Sequence, residues 1–176
     1  MRADCHMHTY FSGDSEAKPE DMVLAAIDKG LEAICFTDHE DIDYFCDDIE
    51  FVFDPETYFK ELGVLKEKYK EKLDIRIGVE FGLQPHLAKK AKAFTAANPY
   101  DFVIGSMHVV GGKDPYYPEF FEGISDEEAY RMALQETIAD IRAVADFDVL
   151  GHLDYVVRVW KTFGNRNILT ADLRMK

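Results

Sequence analysis

Basic residues are scarce in this sequence: 20 Lys and Arg stand against 34 Asp and Glu, for a formal charge of -14. A surface of that sign repels a nucleic-acid backbone and an anionic membrane, so neither is expected as the main partner. A phosphate ligand is not excluded, because bound divalent ions reverse the sign of the field inside a pocket. Long apolar runs are missing as well. None reaches the roughly 18 residues needed to cross a bilayer, and no basic segment followed by an apolar stretch opens the chain as a secretory signal would. The cytoplasm is the expected location. Cysteine is sparse: Cys5, Cys35 and Cys46 have neither close pair spacing nor an even count, which argues against a disulfide framework or a thiolate zinc knuckle. Cys5 and Cys35 lie in strand-like runs and read as small buried apolar residues. With no repeat, low-complexity tract or linker, 176 residues at 47% hydrophobic content are read as one domain over 1–176.

What the sequence does contain is an alternation of strand and helix signals. Strands are predicted at Arg2 to His8, Ala33 to Thr37, Asp74 to Phe81, Asp101 to Met107 and Phe147 to Leu150, most of them continuously apolar as buried parallel strands are. Helices are predicted from Pro19 to Lys29, from about Pro55 to Lys72, from Pro85 to Ala97, and from a capping box at Ser125 and Glu128 to about Ala145. The acidic, aromatic stretch from Glu40 to Asp54 has no clean period and reads as a long loop. Strands alternating with helices predict an α/β fold with a parallel sheet or barrel, whose active residues gather at the C-terminal ends of the strands.

Histidines occupy those ends. His6 and His8, two apart, share one side of an extended strand and so can grip one ion together. Asp4 is on the same side and is expected to orient one of these rings from behind. His39, His108 and His152 follow other apolar runs, and Glu80 closes the third strand. A bare anion there is costly to bury, whereas two cations would stabilise it as a bridge. Imidazole with carboxylate suits zinc, iron and manganese alike. His86, after Pro85 and with no sequence companion, reads as a surface residue, and Glu40, Asp41, Asp43, Asp47 and Asp48 read most simply as a solvated acidic run.

In order, Asp4-x-His6-x-His8-Thr9, Phe11-Ser12-Gly13-Asp14-Ser15, Phe36-Thr37-Asp38-His39, Gly78-Val79-Glu80, the run Asp101 to His108, and Gly151-His152-Leu153-Asp154 resemble the PHP superfamily, and within it the monofunctional histidinol-phosphate phosphatases. The resemblance implies a distorted (β/α)7 TIM-like barrel, here incomplete at about five βα units. It also implies up to three divalent metal ions: His6, His8 and Glu80 on the first, Glu80, His108 and His152 on the second, Asp14 and His39 on the third. A hydroxide bridging the first two ions, held through Glu80 and its neighbours, would attack phosphorus in line, with Arg158 binding the phosphate. The implied substrate is a small phosphate ester, L-histidinol phosphate, whose imidazole the aromatic loop Asp114 to Phe121 would enclose while Glu119 takes the ammonium. That loop reads equally as ordinary packing.

The departure from the family pattern is late in the chain. Family members carry a late Asp-x-His, but after Asp154 there is no His and only Asp172. The chain therefore reads as the N-terminal part of a longer barrel, with an unpaired sheet edge that invites self-association. Two rivals stay open: a PHP phosphoesterase acting on nucleotides or DNA ends, and a catalytically inactive metal-binding module.

Overall fold

The computed structural model describes residues 1–44 and 51–157, and within them the six strands of the sheet all pair in parallel. The strands are β1 (Ala3–Met7), β2 (Ala33–Phe36), β3 (His39–Glu40), β4 (Asp74–Gly82), β5 (Phe102–Ser106) and β6 (Val149–Leu150). Helices α1 (Pro19–Asp28), α2 (Pro55–Tyr69), α3 (Ala88–Ala97) and α4 (Asp126–Ala143) are interleaved with them. The sheet order is β1-β2-β4-β5-β6, with β3 also on β4. Every strand predicted from the sequence is present; the two-residue β3 is additional and corrects the expected long loop at its start.

The helix ends follow from local chemistry. Pro19 and Pro55 open α1 and α2, where a missing N–H costs nothing. Asp54 caps α2 by accepting from Thr57 N at 3.0 Å, and Ser125 caps α4 by accepting from Glu128 N at 3.2 Å. Only that half of the expected capping box forms, because the Glu128 carboxylate is engaged by Arg131. The helix expected from Pro85 begins as a 3-10 turn, Pro85–Leu87, before α3.

Strand geometry sorts the side chains between two faces. On β2 and β4 the outward residues Ile34, Phe36, Ile75 and Ile77 join Val23, Ala26, Tyr58, Leu62 and Leu65 of α1 and α2 in the largest core cluster. Phe81, further along the same side of β4, packs with Leu83, Ala91 and Val144. Tyr58, fully buried, also donates through its hydroxyl to Gly78 O at 3.1 Å, locking α2 to the sheet. Cys35 is buried as expected, but Cys5 is exposed. β1 is an end strand of the described sheet, and only its last residue, Met7, reaches beneath the helices. At the opposite end, Leu134, Ile138 and Ile141 of α4 and Val149 of β6 are exposed.

The other face of β4 carries Gly78, Glu80 and Gly82, so the single carboxylate stands between two gaps. A Cβ at Gly78 would lie 2.4 Å from Phe102 O and 3.0 Å from Cys35 Sγ. The first neighbour is backbone and yields only if β5 moves. Overpacking of this kind costs about 1–3 kcal/mol, and Gly78→Ala is expected at the upper end, read as a lower urea midpoint with an unchanged slope.

Candidate metal centre

Past the end of β2, backbone bonds continue from Thr37 N to Met7 O at 2.9 Å and from Glu80 N to Asp38 O at 3.0 Å, and side chains add to them. Thr37 Oγ1 accepts from Met7 N at 3.2 Å and lies 2.8 Å from His6 Nδ1. Asp38, fully buried, accepts from Thr9 N, from Thr9 Oγ1 at 3.0 Å and from Ser12 Oγ at 3.0 Å, while Ser12 Oγ accepts from His39 N at 2.9 Å. The loop that carries Asp14 is thereby tied to the end of β2. Pairing resumes at β3, where His39 sits beside Glu80 in the register.

Glu80 is fully buried, and its two oxygens face different partners. Oε2 is 3.7 Å from His6 Nε2, 3.3 Å from His8 Nε2 and 3.3 Å from His39 Nδ1. Oε1 is 2.9 Å from His152 Nε2 and 3.3 Å from His108 Nε2, and it accepts from Ser106 Oγ at 2.7 Å. Asp14 lies 3.6 Å from both His8 Nδ1 and His39 Nε2. All seven expected ligands thus converge, and donor atoms fall into four overlapping groups lying within 4.8 Å: His6, His8 and Glu80; Glu80, His108 and His152; His8, Asp14 and His39; and His39 and His108 with Asp41.

This packing sets the charge states. Burial pushes the Glu80 carboxyl up, but His108, His152 and His8 more than offset it and hold it well below its ordinary value. Burial likewise opposes the charge on His8, yet Asp14 and Glu80 raise it to about 9. His39 and His8 hold Asp14 low. Even so, Glu80 Oε2 and His39 Nδ1 are buried with no hydrogen-bond partner among the described residues. An unpartnered carboxylate oxygen facing three imidazole nitrogens fits a cation, and the donor set is that of zinc, iron or manganese.

Some expected roles move to other residues. Asp4 accepts the backbone N–H of His6 at 3.2 Å; Thr37 is the residue at the ring. Asp41 is not part of a solvated run: it is buried, with its carboxylate on His108 Nδ1 at 2.9 and 3.1 Å. Glu40 is buried too, and desolvation pushes it up to about 7 against a hydrogen bond from Phe53 N. Glu119 is exposed, whereas Asp114 accepts from Tyr155 and Tyr44, and the Tyr155 ring lies 5.5 Å from that of His108. His86 is exposed and pairs with Asp43 at 3.1 Å. Arg158, Cys46, Asp47, Asp48 and Asp172 lie outside the described residues.

Comparison with known proteins places this geometry. The PHP domain model matches residues 4–172. The chain belongs to the PHP domain family. One PHP relative, histidinol-phosphatase of Lactococcus lactis subsp. lactis, is 36% identical over 174 residues, which is 98% of this chain and 64% of that protein. The solved structure of the histidinol phosphate phosphatase from that organism, complexed with zinc, L-histidinol and phosphate, superposes with a TM-score of 0.84 at 37% identity. It covers 89% of this chain and 59% of the other. A Listeria monocytogenes structure shares the fold at 21% identity, with a TM-score of 0.81 over 93% of this chain and 71% of its own. The chain spans less than two thirds of the length of the Lactococcus relative, and its open sheet corresponds to part of a TIM-like PHP barrel. Among the described residues, no helix is long and apolar enough to cross a membrane.

Proposed function

We propose that this chain hydrolyses a small phosphate monoester, L-histidinol phosphate, with divalent metal ions as cofactors. The observation that carries the reading is the division of Glu80, one oxygen toward His6 and His8 and the other toward His108 and His152. The Lactococcus relative, named for this activity and solved with zinc, L-histidinol and phosphate, supports the choice of substrate and metal. Divalent ions held by these residues would bring the pKa of bound water toward neutrality and neutralise phosphoryl oxygens.

The protein's part is placement. Glu80 spaces the two groups of imidazoles, Ser106 fixes its carboxylate, and Thr37 fixes His6. Asp14 and His39 hold the third position, with His8 shared between it and the first. Arg158 is assigned to the phosphate, to which its planar fork of donors is suited. Tyr155, against His108, and Asp114, which accepts from its hydroxyl, are assigned in place of Glu119 to the remainder of the substrate.

The test is phosphate release by the zinc- or manganese-loaded 176-residue chain from L-histidinol phosphate, AMP and a DNA 3′-phosphate. Preferential turnover of the first is expected. Preference for either nucleotide substrate would move the chain to another branch of the PHP family, and bound metal without release from any of them would mark an inactive module.

A further inference from the structure

Asp41 makes contacts for which the fold has set space aside. The residue is 6% exposed, and its carboxylate brackets Nδ1 of His108. That nitrogen is thereby occupied, leaving Nε2 toward Glu80 Oε1 at 3.3 Å. Asp41 Oδ2 also lies 3.2 Å from His39 Nδ1, at an angle that makes no hydrogen bond, while His39 Nε2 faces Asp14. An imidazole that gives one nitrogen to a metal is held in tautomer and ring orientation by whatever engages the other.

The second observation is independent of these contacts. Gly82 follows Glu80 on the same face of β4, and a Cβ there would lie 1.9 Å from Asp41 Oδ1 and 2.9 Å from Asp41 Cγ. Its φ is not among the positive values, so the glycine serves space and not backbone conformation. A side chain at Gly82 and the Asp41 carboxylate exclude each other.

We infer that Asp41, seated in the gap at Gly82, is the positioning residue that aims His108 at the ion shared with Glu80 and His152. The inference rests on the metal reading of the centre. Because Asp41 acts from behind an imidazole, an amide oxygen in its place can still accept from Nδ1.

The experiment measures zinc affinity of the 176-residue chain by competition with a chromophoric chelator, alongside circular dichroism. Asp41→Ala and Gly82→Ala are each expected to weaken zinc binding by about 10–100-fold, the usual cost of losing an outer partner of a ligating histidine, and Asp41→Asn to stay within a few-fold of wild type. If Asp41→Asn binds as poorly as Asp41→Ala, Asp41 is itself a ligand and the positioning role is overturned. Wild-type affinity in both Asp41→Ala and Gly82→Ala overturns it too. Should Asp41→Ala fail to fold, Asp41→Asn against Gly82→Ala gives the same decision, with Gly63→Ala, which nothing approaches within 4 Å, as the control. A wild-type chain that binds no zinc removes the metal reading itself, whereas binding that ignores Asp41 removes only this inference.

Discussion

Glu80→Gln is expected to strip the chain of bound metal and to abolish phosphate release, by far more than the roughly 10–100-fold assigned to loss of an outer partner. Glutamine keeps the shape of the side chain but presents one neutral oxygen where the carboxylate presents two charged ones, so one of the two imidazole groups loses its shared ligand. Stability should change as well, and in a way that depends on pH. Removing one member of a buried ion pair costs about 3–5 kcal/mol because the other charge is left uncompensated. Glu80 is among the groups that raise His8 and His108, both of which are held above their ordinary values in the metal-free chain. Near pH 6 these rings are charged and the variant should be severely destabilised. Near pH 9, the folded value of His8, that ring is losing its proton, so the loss should be smaller than near pH 6. Urea unfolding of chelator-treated wild type and Glu80→Gln at the two pH values measures this directly; equal losses at both would show that Glu80 does not serve as counter-ion to the imidazoles.

Most of the candidate ligands were legible because strand ends are legible, whereas Asp14 came only from the family resemblance. His6 and His8 follow from a spacing of two, and Glu80, His108 and His152 each terminate an apolar run, so a parallel sheet brings them to one rim whatever its exact register. Asp41 was hidden for the opposite reason. Five acids between Glu40 and Asp48 have the composition of a solvated loop, and only the placement of His108, 67 residues later, turns one of them into a buried partner. Gly82 offered the available signal: a glycine two residues beyond a strand's acid, and so on the same face, asks what occupies the missing side chain's volume. Thr37 and Ser106 were hidden more simply, since a hydroxyl that serves a strand-end ligand looks like any other polar residue beside it. Strand alternation puts Asp4 on the face of His6 and His8 but does not say which hydrogen bond a short carboxylate reaches first. The nearest donor was the backbone N–H of His6. β3 escaped because two residues have no periodicity.

Metal-free and zinc-loaded chains are expected to respond to rising pH with opposite signs. In the metal-free chain His8 is raised to about 9 against its own burial by Asp14 and Glu80, and His39 and His108 are raised against theirs chiefly by Asp14 and Asp41. A histidine whose folded value exceeds its unfolded one stabilises fully below about 6.5, and that contribution is lost as pH climbs through the folded value. His6, lowered by burial and by the neighbouring imidazoles despite Glu80, acts the other way, but it is the exception among the shifted rings of the centre. Asp14, Asp41 and Glu80 are all lowered, so their contributions are present above the ordinary carboxylate range and fade only in acid. The metal-free chain should therefore lose stability steadily between pH 6.5 and 9, by on the order of 2 kcal/mol or more if His8 alone followed its shift. Zinc reverses the slope, because an ion and a proton compete for the same nitrogen and binding strengthens as the rings deprotonate. The gap between the melting temperatures of the zinc-loaded and chelated chains should accordingly widen from pH 6.5 to 9. A gap that narrows over that interval would mean the imidazoles around Glu80 are not where the ion binds.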